Sequence, residues 1–194
     1  MTDIQKLENI IPQVRRDIVR MVHANNSGHP GGSLGCTEFM IALYFEVMNH
    51  NTNFSMDGIG EDIFFLSNGH ISPVFYSVLA RSGYFSVSEL ATFRKLNTRL
   101  QGHPTTHEGL EGVRMASGSL GQGLSNAIGA ATWLSNEDSC SAVVQFLYSI
   151  IEPLNDSPSI ACSGPPNVTV VALPEYAILY EPDTTPCEPL ISKS

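Results

Sequence analysis

Ile63-Phe64-Phe65-Leu66-Ser67-Asn68-Gly69-His70-Ile71-Ser72-Pro73, residues 63–73, is the stretch on which the fold turns. Four apolar residues in a row, with no alternation, have the pattern of a short strand buried on both faces, as in a parallel sheet. Ser67–His70 then supplies turn chemistry, and a helix is expected from about Pro73 to Ser82, since proline suits a first turn. Strand, tight turn and helix together form the unit that builds an open parallel sheet. Such sheets hold ligands beyond the carboxyl ends of their strands, the position His70 occupies.

Outward from this unit the pattern stays α/β. Ile10, Val14, Ile18 and Met21/Val22 recur every three to four positions, which predicts an amphipathic helix over Leu7–Ala24. A second helix is expected from about Ser33 to Met48, with Leu34, Ile41, Tyr44/Phe45 and Met48 on one face. Glu89–Leu96 is expected as a short helix. Ser119–Ala131 is expected as another, with Leu120, Leu124 and Ile128 at four-residue steps.

Near residue 131 the composition changes. Residues 1–131 hold 9 of the 10 Lys and Arg and 11 of the 19 Asp and Glu, whereas residues 132–194 hold one basic and 8 acidic residues. The tail also has 8 of the 12 prolines and 1 of the 16 glycines. Its Pro-, Ser- and Asp-rich stretches bury little, so an irregular, poorly ordered tail is expected. Within it Ala142–Ile151 fits a strand or a buried helix, Val168–Leu173 a strand, and Ala177–Tyr180 a weak strand. The net charge of −9 opposes a nucleic-acid partner, whose phosphates it would repel. No apolar run has the roughly 20 residues of a membrane helix. The polar N-terminus does not resemble a signal peptide, so a cytoplasmic location is the expectation. Cys36, Cys140, Cys162 and Cys187 form no CxxC pair and are expected as free thiols.

The candidate chemistry lies in four turns. Ser27-Gly28-His29-Pro30, Asn68-Gly69-His70 and Gln101-Gly102-His103-Pro104 each place an imidazole beside a glycine. Glycine lets the backbone bend or pass close to a ligand. Proline after His29 and His103 keeps those residues extended. Any one such histidine alone is more simply a satisfied turn residue, but three in 75 residues point to a site. His23, His50 and His107 lack the setting and are expected to be structural or solvated. The fourth turn, Gly118-Ser119-Leu120-Gly121-Gln122-Gly123, leads into a helix, where free N–H groups and the helix dipole suit a phosphate. Its spacing is GxxGxG and not the dinucleotide GxGxxG, so a Rossmann assignment is weak. A helix whose glycines simply allow close packing explains the loop as well.

Taken in order, NNSGHPGGSLG (25–35), SNGHISP (67–73), LQGHP (100–104) and SGSLGQGLSNAIGAA (117–131) resemble the transketolase family over about residues 4–131. The likeness extends to the N-terminal subunit of transketolases split into two chains. It implies part of a thiamine-diphosphate-binding fold, a parallel sheet flanked by helices. It also implies two-carbon ketol transfer between sugar phosphates, as in the pentose phosphate pathway. The cofactors it implies are thiamine diphosphate and Mg²⁺ or Ca²⁺, with the coenzyme as electron sink. By position, His70 is implied to meet the diphosphate and the substrate. His29 and His103 are implied to hydrogen-bond ketose hydroxyls and the developing alkoxide. Gly118 and Leu120 are implied to meet the cofactor through their backbones. The implied partners are a chain carrying the pyrimidine-binding domain and a homodimer-like assembly.

The pattern then stops. The family's Gly-Asp-Gly, whose Asp holds the metal with a later Asn, is absent from the sequence, and Asp138, Asp156 and Asp183 stand in other contexts. No metal ligand is nominated. Residues from about Thr132 are therefore expected to be divergent or unrelated sequence, leaving the sheet short of central strands and the Leu120/Leu124/Ile128 face partly uncovered. Two other functions compete with an incomplete transketolase-type subunit: a non-catalytic remnant, and a metalloenzyme built on His29, His70 and His103. The last has irregular ligand spacing against it.

Overall fold

The computed structural model describes residues 4–134, 143–146 and 170–173. Among these, helices dominate and the sheet is small. Helix α1 (Ile4–Asn25) is followed by α2 (Pro30–Gly35) and α3 (Thr37–Ala42), then a wider π-type turn over Leu43–Val47. Strand β1 (Ile63–Leu66) leads through a short 3-10 turn (Gly69–Ile71) into α4 (Ser72–Ser82). A second 3-10 segment covers Val87–Thr92, and α5 spans Gln122–Leu134. Strands β2 (Val143–Phe146) and β3 (Val170–Leu173) complete a parallel sheet in the order β1-β2-β3, with Ile63 opposite Val143 and Val143 opposite Val170.

β1 falls where its apolar run predicts, and every one of its residues is buried. Its two faces serve two clusters. Phe64 and Leu66 join Val14, Ile18 and Met21 of α1 and Val74, Val78 and Leu79 of α4 in the main core. Ile63 and Phe65 turn the other way, onto Ala127 of α5. Alternation of side chains across the strand thus packs a helical layer on each side. α4 ends at Gly83, whose φ of +98° closes the helix as a left-handed cap.

Four expectations need correction. The single helix expected over Ser33–Met48 is broken at Cys36, whose φ of −97° and ψ of 4° separate α2 from α3. Thr37 Oγ1 donates to the Ser33 carbonyl (3.1 Å), a back-bond of the kind that bends helices. Further on, Met48 N–H reaches the Leu43 carbonyl five residues back. The helix expected from Ser119 begins at Gln122 instead, because Gly121 takes a φ of +94° and cannot be helical. The helix expected over Glu89–Leu96 is the 3-10 segment Val87–Thr92, capped by Ser86 Oγ accepting from Ser88 N–H. The tail, finally, does add strands to the sheet: β2 lies within Ala142–Ile151 and β3 within Val168–Leu173. Ala177–Tyr180, Asp138, Asp156, Asp183 and the three tail cysteines lie outside the described residues.

Leu120, Leu124, Ile128 and Trp133 are 48, 37, 50 and 48% exposed, so the outer face of α5 is an apolar stripe open to solvent. No helix among the described residues is long and apolar enough to cross a membrane.

Candidate functional site

The three glycine-flanked histidines converge. His29 comes from the turn between α1 and α2, His70 from the end of β1, and His103 from the loop before α5. The His29 and His70 rings meet edge to face with centroids 5.3 Å apart. His103 lies close enough for its charge to be felt at His70. His29 and His103 are exposed and His70 is half-buried, so together they form one open imidazole face at the carboxyl end of β1.

The Gly118 turn closes on the same place. A Cβ on Gly118 would sit 3.9 Å from the His103 ring, which places this backbone against that imidazole. Gly69 is pressed against Ser117: a Cβ there would lie 2.5 Å from Ser117 Oγ and 2.6 Å from its carbonyl oxygen. Gly123 backs onto Ser67 in the same way. Gly69 and Gly123 are glycines for lack of room, since neither has a positive φ. Leu120 stands exposed at the edge of this turn.

Electrostatics favour neutral rings. Burial lowers the His70 pKa from its ordinary value, and the neighbouring His29 and His103 lower it further. His103 is lowered by burial, then by the Arg94 guanidinium and by His29. Clustered like charges and a nearby cation both oppose protonation. Cys36, by contrast, is pushed up to about 11 by burial and stays a thiol.

Several participants escaped the sequence reading. Arg94 lines a cleft of about 480 Å³ with Gln101, Gly102, His103, Thr105 and Glu108. Its backbone is left-handed, with a φ of +56°. That conformation costs a non-glycine residue roughly 1 kcal/mol and persists only where its surroundings enforce it. Its Nη1 donates to Ser27 Oγ (2.6 Å) and its Nη2 contacts the Gly102 carbonyl at 3.5 Å. The same carbonyl accepts from Ser72 Oγ at 2.7 Å. No local signal marks Arg94, since its partners lie far away in the sequence.

Ser67, Asn68 and Ser117 form the other missed group. Ser67 Oγ, both polar atoms of the Asn68 amide and Ser117 Oγ are buried without a hydrogen-bond partner. Buried polar atoms normally have partners, so these mark a place where a ligand or water belongs. The remaining histidines behave as expected. His50 is held between the Tyr44 carbonyl (2.8 Å) and Tyr84 Oη (3.1 Å), and His107 is exposed beside Glu108. Among the described residues, no three His, Cys, Asp or Glu side chains could share a metal ion, which removes support for the metalloenzyme reading.

An α/β chain with polar turns gathered beyond a parallel strand has the layout of a ligand-binding α/β enzyme domain. Comparison with known proteins narrows the class. The family described as "Transketolase, thiamine diphosphate binding domain" matches residues 7–150, and the chain belongs to it. The match runs past the composition break and takes in β2. Transketolase 1 of Saccharomyces cerevisiae is 42% identical over 131 residues, which is 67% of this chain and 18% of that protein. The chloroplastic transketolase of Spinacia oleracea is 40% identical over 133 residues, again 67% of this chain and 18% of the relative. Among solved structures, transketolase from Campylobacter jejuni superposes with a TM-score of 0.70 at 31% identity, covering 76% of this chain and 24% of that one. A transketolase mutant from Pichia stipitis in complex with fructose 6-phosphate gives 0.68 at 32% identity, covering 74% and 22%. The chain thus spans under a fifth of the length of these curated relatives.

Proposed function

We propose that this chain is the thiamine-diphosphate-binding front part of a transketolase-type transferase, moving a two-carbon ketol unit between sugar phosphates of the pentose phosphate pathway. The observation that carries the reading is the meeting of His29, His70 and His103 with the Gly118 turn at one strand end. The coenzyme suits that place: unpartnered buried atoms of Ser67, Asn68 and Ser117 await polar groups, and Gly118 leaves the His103 ring uncovered. His70 and the backbones of Gly118 and Leu120 would hold it. When bound, thiamine diphosphate supplies the nucleophilic carbon and the electron sink for the transferred unit.

The chain's own groups do the rest. His29 and His103 grip hydroxyls of the ketose from the open side of the face. At neutral pH the lowered pKa of His103 leaves one ring nitrogen free to accept a hydroxyl proton. Its N–H at the other nitrogen can then donate to a developing alkoxide. The cleft beside Arg94 gives the sugar room.

A divalent metal does not fit the residues at hand, because the expected acidic motif is missing and no group among the described residues could hold one. No step here depends on it. The absent pyrimidine-binding domain is assigned to a partner chain in a homodimer-like assembly, with a cytoplasmic location. Residues from about Thr132 are assigned to a divergent or unrelated segment, as from a frameshift or splice. A second reading, a non-catalytic remnant that binds cofactor weakly or not at all, is favoured by that missing motif. Calorimetric titration with thiamine diphosphate and Mg²⁺ separates the two. Micromolar binding supports a working subunit, and absence of heat supports the remnant.

A further inference from the structure

Arg94 and the Gly102 peptide form a node on which all three histidine turns rest. Ser27, two residues before His29, accepts from Arg94 Nη1 at 2.6 Å. Ser72, two residues after His70, donates to the Gly102 carbonyl at 2.7 Å. Gly102 itself precedes His103, and the guanidinium packs flat on it. A Cβ at Gly102 would lie 2.8, 2.9 and 3.0 Å from Arg94 Nε, Cζ and Nη2. Gly102 has no positive φ, so space for the guanidinium is what demands glycine there. Arg94 Nε is buried and unpartnered, closed off by this stack. The guanidinium also lies over the Phe93 ring at 5.4 Å, and Arg94 N–H donates to the Leu100 carbonyl at 2.9 Å. Every part of the side chain is therefore fixed, from a backbone held in a left-handed conformation.

We propose that Arg94 is a positioning residue that clamps the His29, His70 and His103 turns into one rigid imidazole face, with Gly102 as its seat. The arginine fork suits this task, since it can grip two turns at once while a lysine offers a single point. The inference rests on the ketol-transfer reading only for what the histidines do. The clamp belongs to the free chain and is testable there.

The test follows the three rings by NMR in full-length chain carrying ¹³C-labelled histidine, without cofactor, for R94Q, R94K and G102A. In R94Q the signals of all three histidines should move, and the His103 titration midpoint should rise because a neighbouring cation is gone. R94K keeps the charge, so His103 should go on titrating low while the His29 signals still move. G102A should resemble R94Q in ring positions, since the guanidinium must leave its seat. If the whole chain is active, kcat/KM should fall on the order of 100-fold in each variant, the scale of a misplacement near 1 Å. Movement of His103 alone in R94Q, with the His29 and His70 signals unchanged, would overturn the clamp. Should the Arg94 variants fail to fold, S27A and S72A each cut one link and decide the matter. S27A should move the His29 signals and S72A the His70 signals, and no movement in either refutes the proposal. Loss of cofactor binding with the ring shifts as expected refutes the transketolase reading and leaves the clamp standing.

Discussion

Replacing Gly69 by alanine tests the joint between the His70 turn and the Gly118 turn. The new Cβ would lie 2.6 Å from the Ser117 carbonyl oxygen, where ordinary contact begins near 3.4 Å. The two segments must then part by about 0.8 Å, and backbone on both sides leaves no flexible side chain to absorb the change. Overpacking of this kind costs about 1–3 kcal/mol. For a chain of this size that lowers the thermal midpoint by roughly 4–8 °C at 2 kcal/mol. Thermal unfolding by circular dichroism gives the first number, and calorimetric titration with thiamine diphosphate gives the second. Binding should weaken by one to two orders of magnitude, roughly what a shift near 1 Å costs a positioned site. Adding S117A removes only the hydroxyl at 2.5 Å and leaves the carbonyl in place, so it should restore less than half of the loss. A G69A chain that melts within a degree of the parent would refute the contact. So would full rescue by S117A.

Acidification should destabilise the fold. His70 and His103 both titrate below the ordinary imidazole range, so the unfolded chain takes up protons there first. Stability is therefore full above that range and declines as pH falls through it towards the folded values. Melting curves from about pH 8 to about pH 5 should show the decline, and an H70Q/H103Q chain should show less of it; equal declines would place the effect elsewhere. The Arg114–Glu61 pair, 5 and 7% exposed at 2.5 Å, is the most buried charge pair described. R114M leaves that carboxylate with only the Asn51 N–H, so about 3 kcal/mol should be lost in urea unfolding. The open stripe of α5 should make the isolated chain associate or bind hydrophobic dyes. L120Q/L124Q should shift gel-filtration elution toward monomer, and Trp133, the single tryptophan, should report any docking on this face by a blue-shifted emission.

How far the sequence carried can be traced residue by residue. β1 was legible because a strand buried on both faces needs apolar side chains on both, and Ile63–Leu66 writes that requirement directly. α1 was legible from the periodicity of Val14, Ile18 and Met21, all buried. The histidine face was legible as a set of local turns, each with its own glycine. Its assembly was not, because the contacts that gather the turns span long separations: Arg94 to Ser27, and Ser72 to Gly102. Nor was the role of Asp17, a carboxylate on the buried face of α1. It meets Arg81 Nε at 2.6 Å and Ser77 Oγ at 2.9 Å, both more than 50 residues away. The break at Cys36 was hidden for another reason: helix propensity and spacing say nothing of a hydroxyl turning back on its own backbone.

Because three chemically active turns lean on one peptide carbonyl and one guanidinium, they cannot drift independently. A change tolerated in one loop alone would tilt its neighbours, so useful variation here has to arrive in coordinated sets. Libraries that randomise a single turn should yield mostly silent or dead chains, while those that vary residues 27, 72, 94 and 102 together open routes the single-turn search cannot reach.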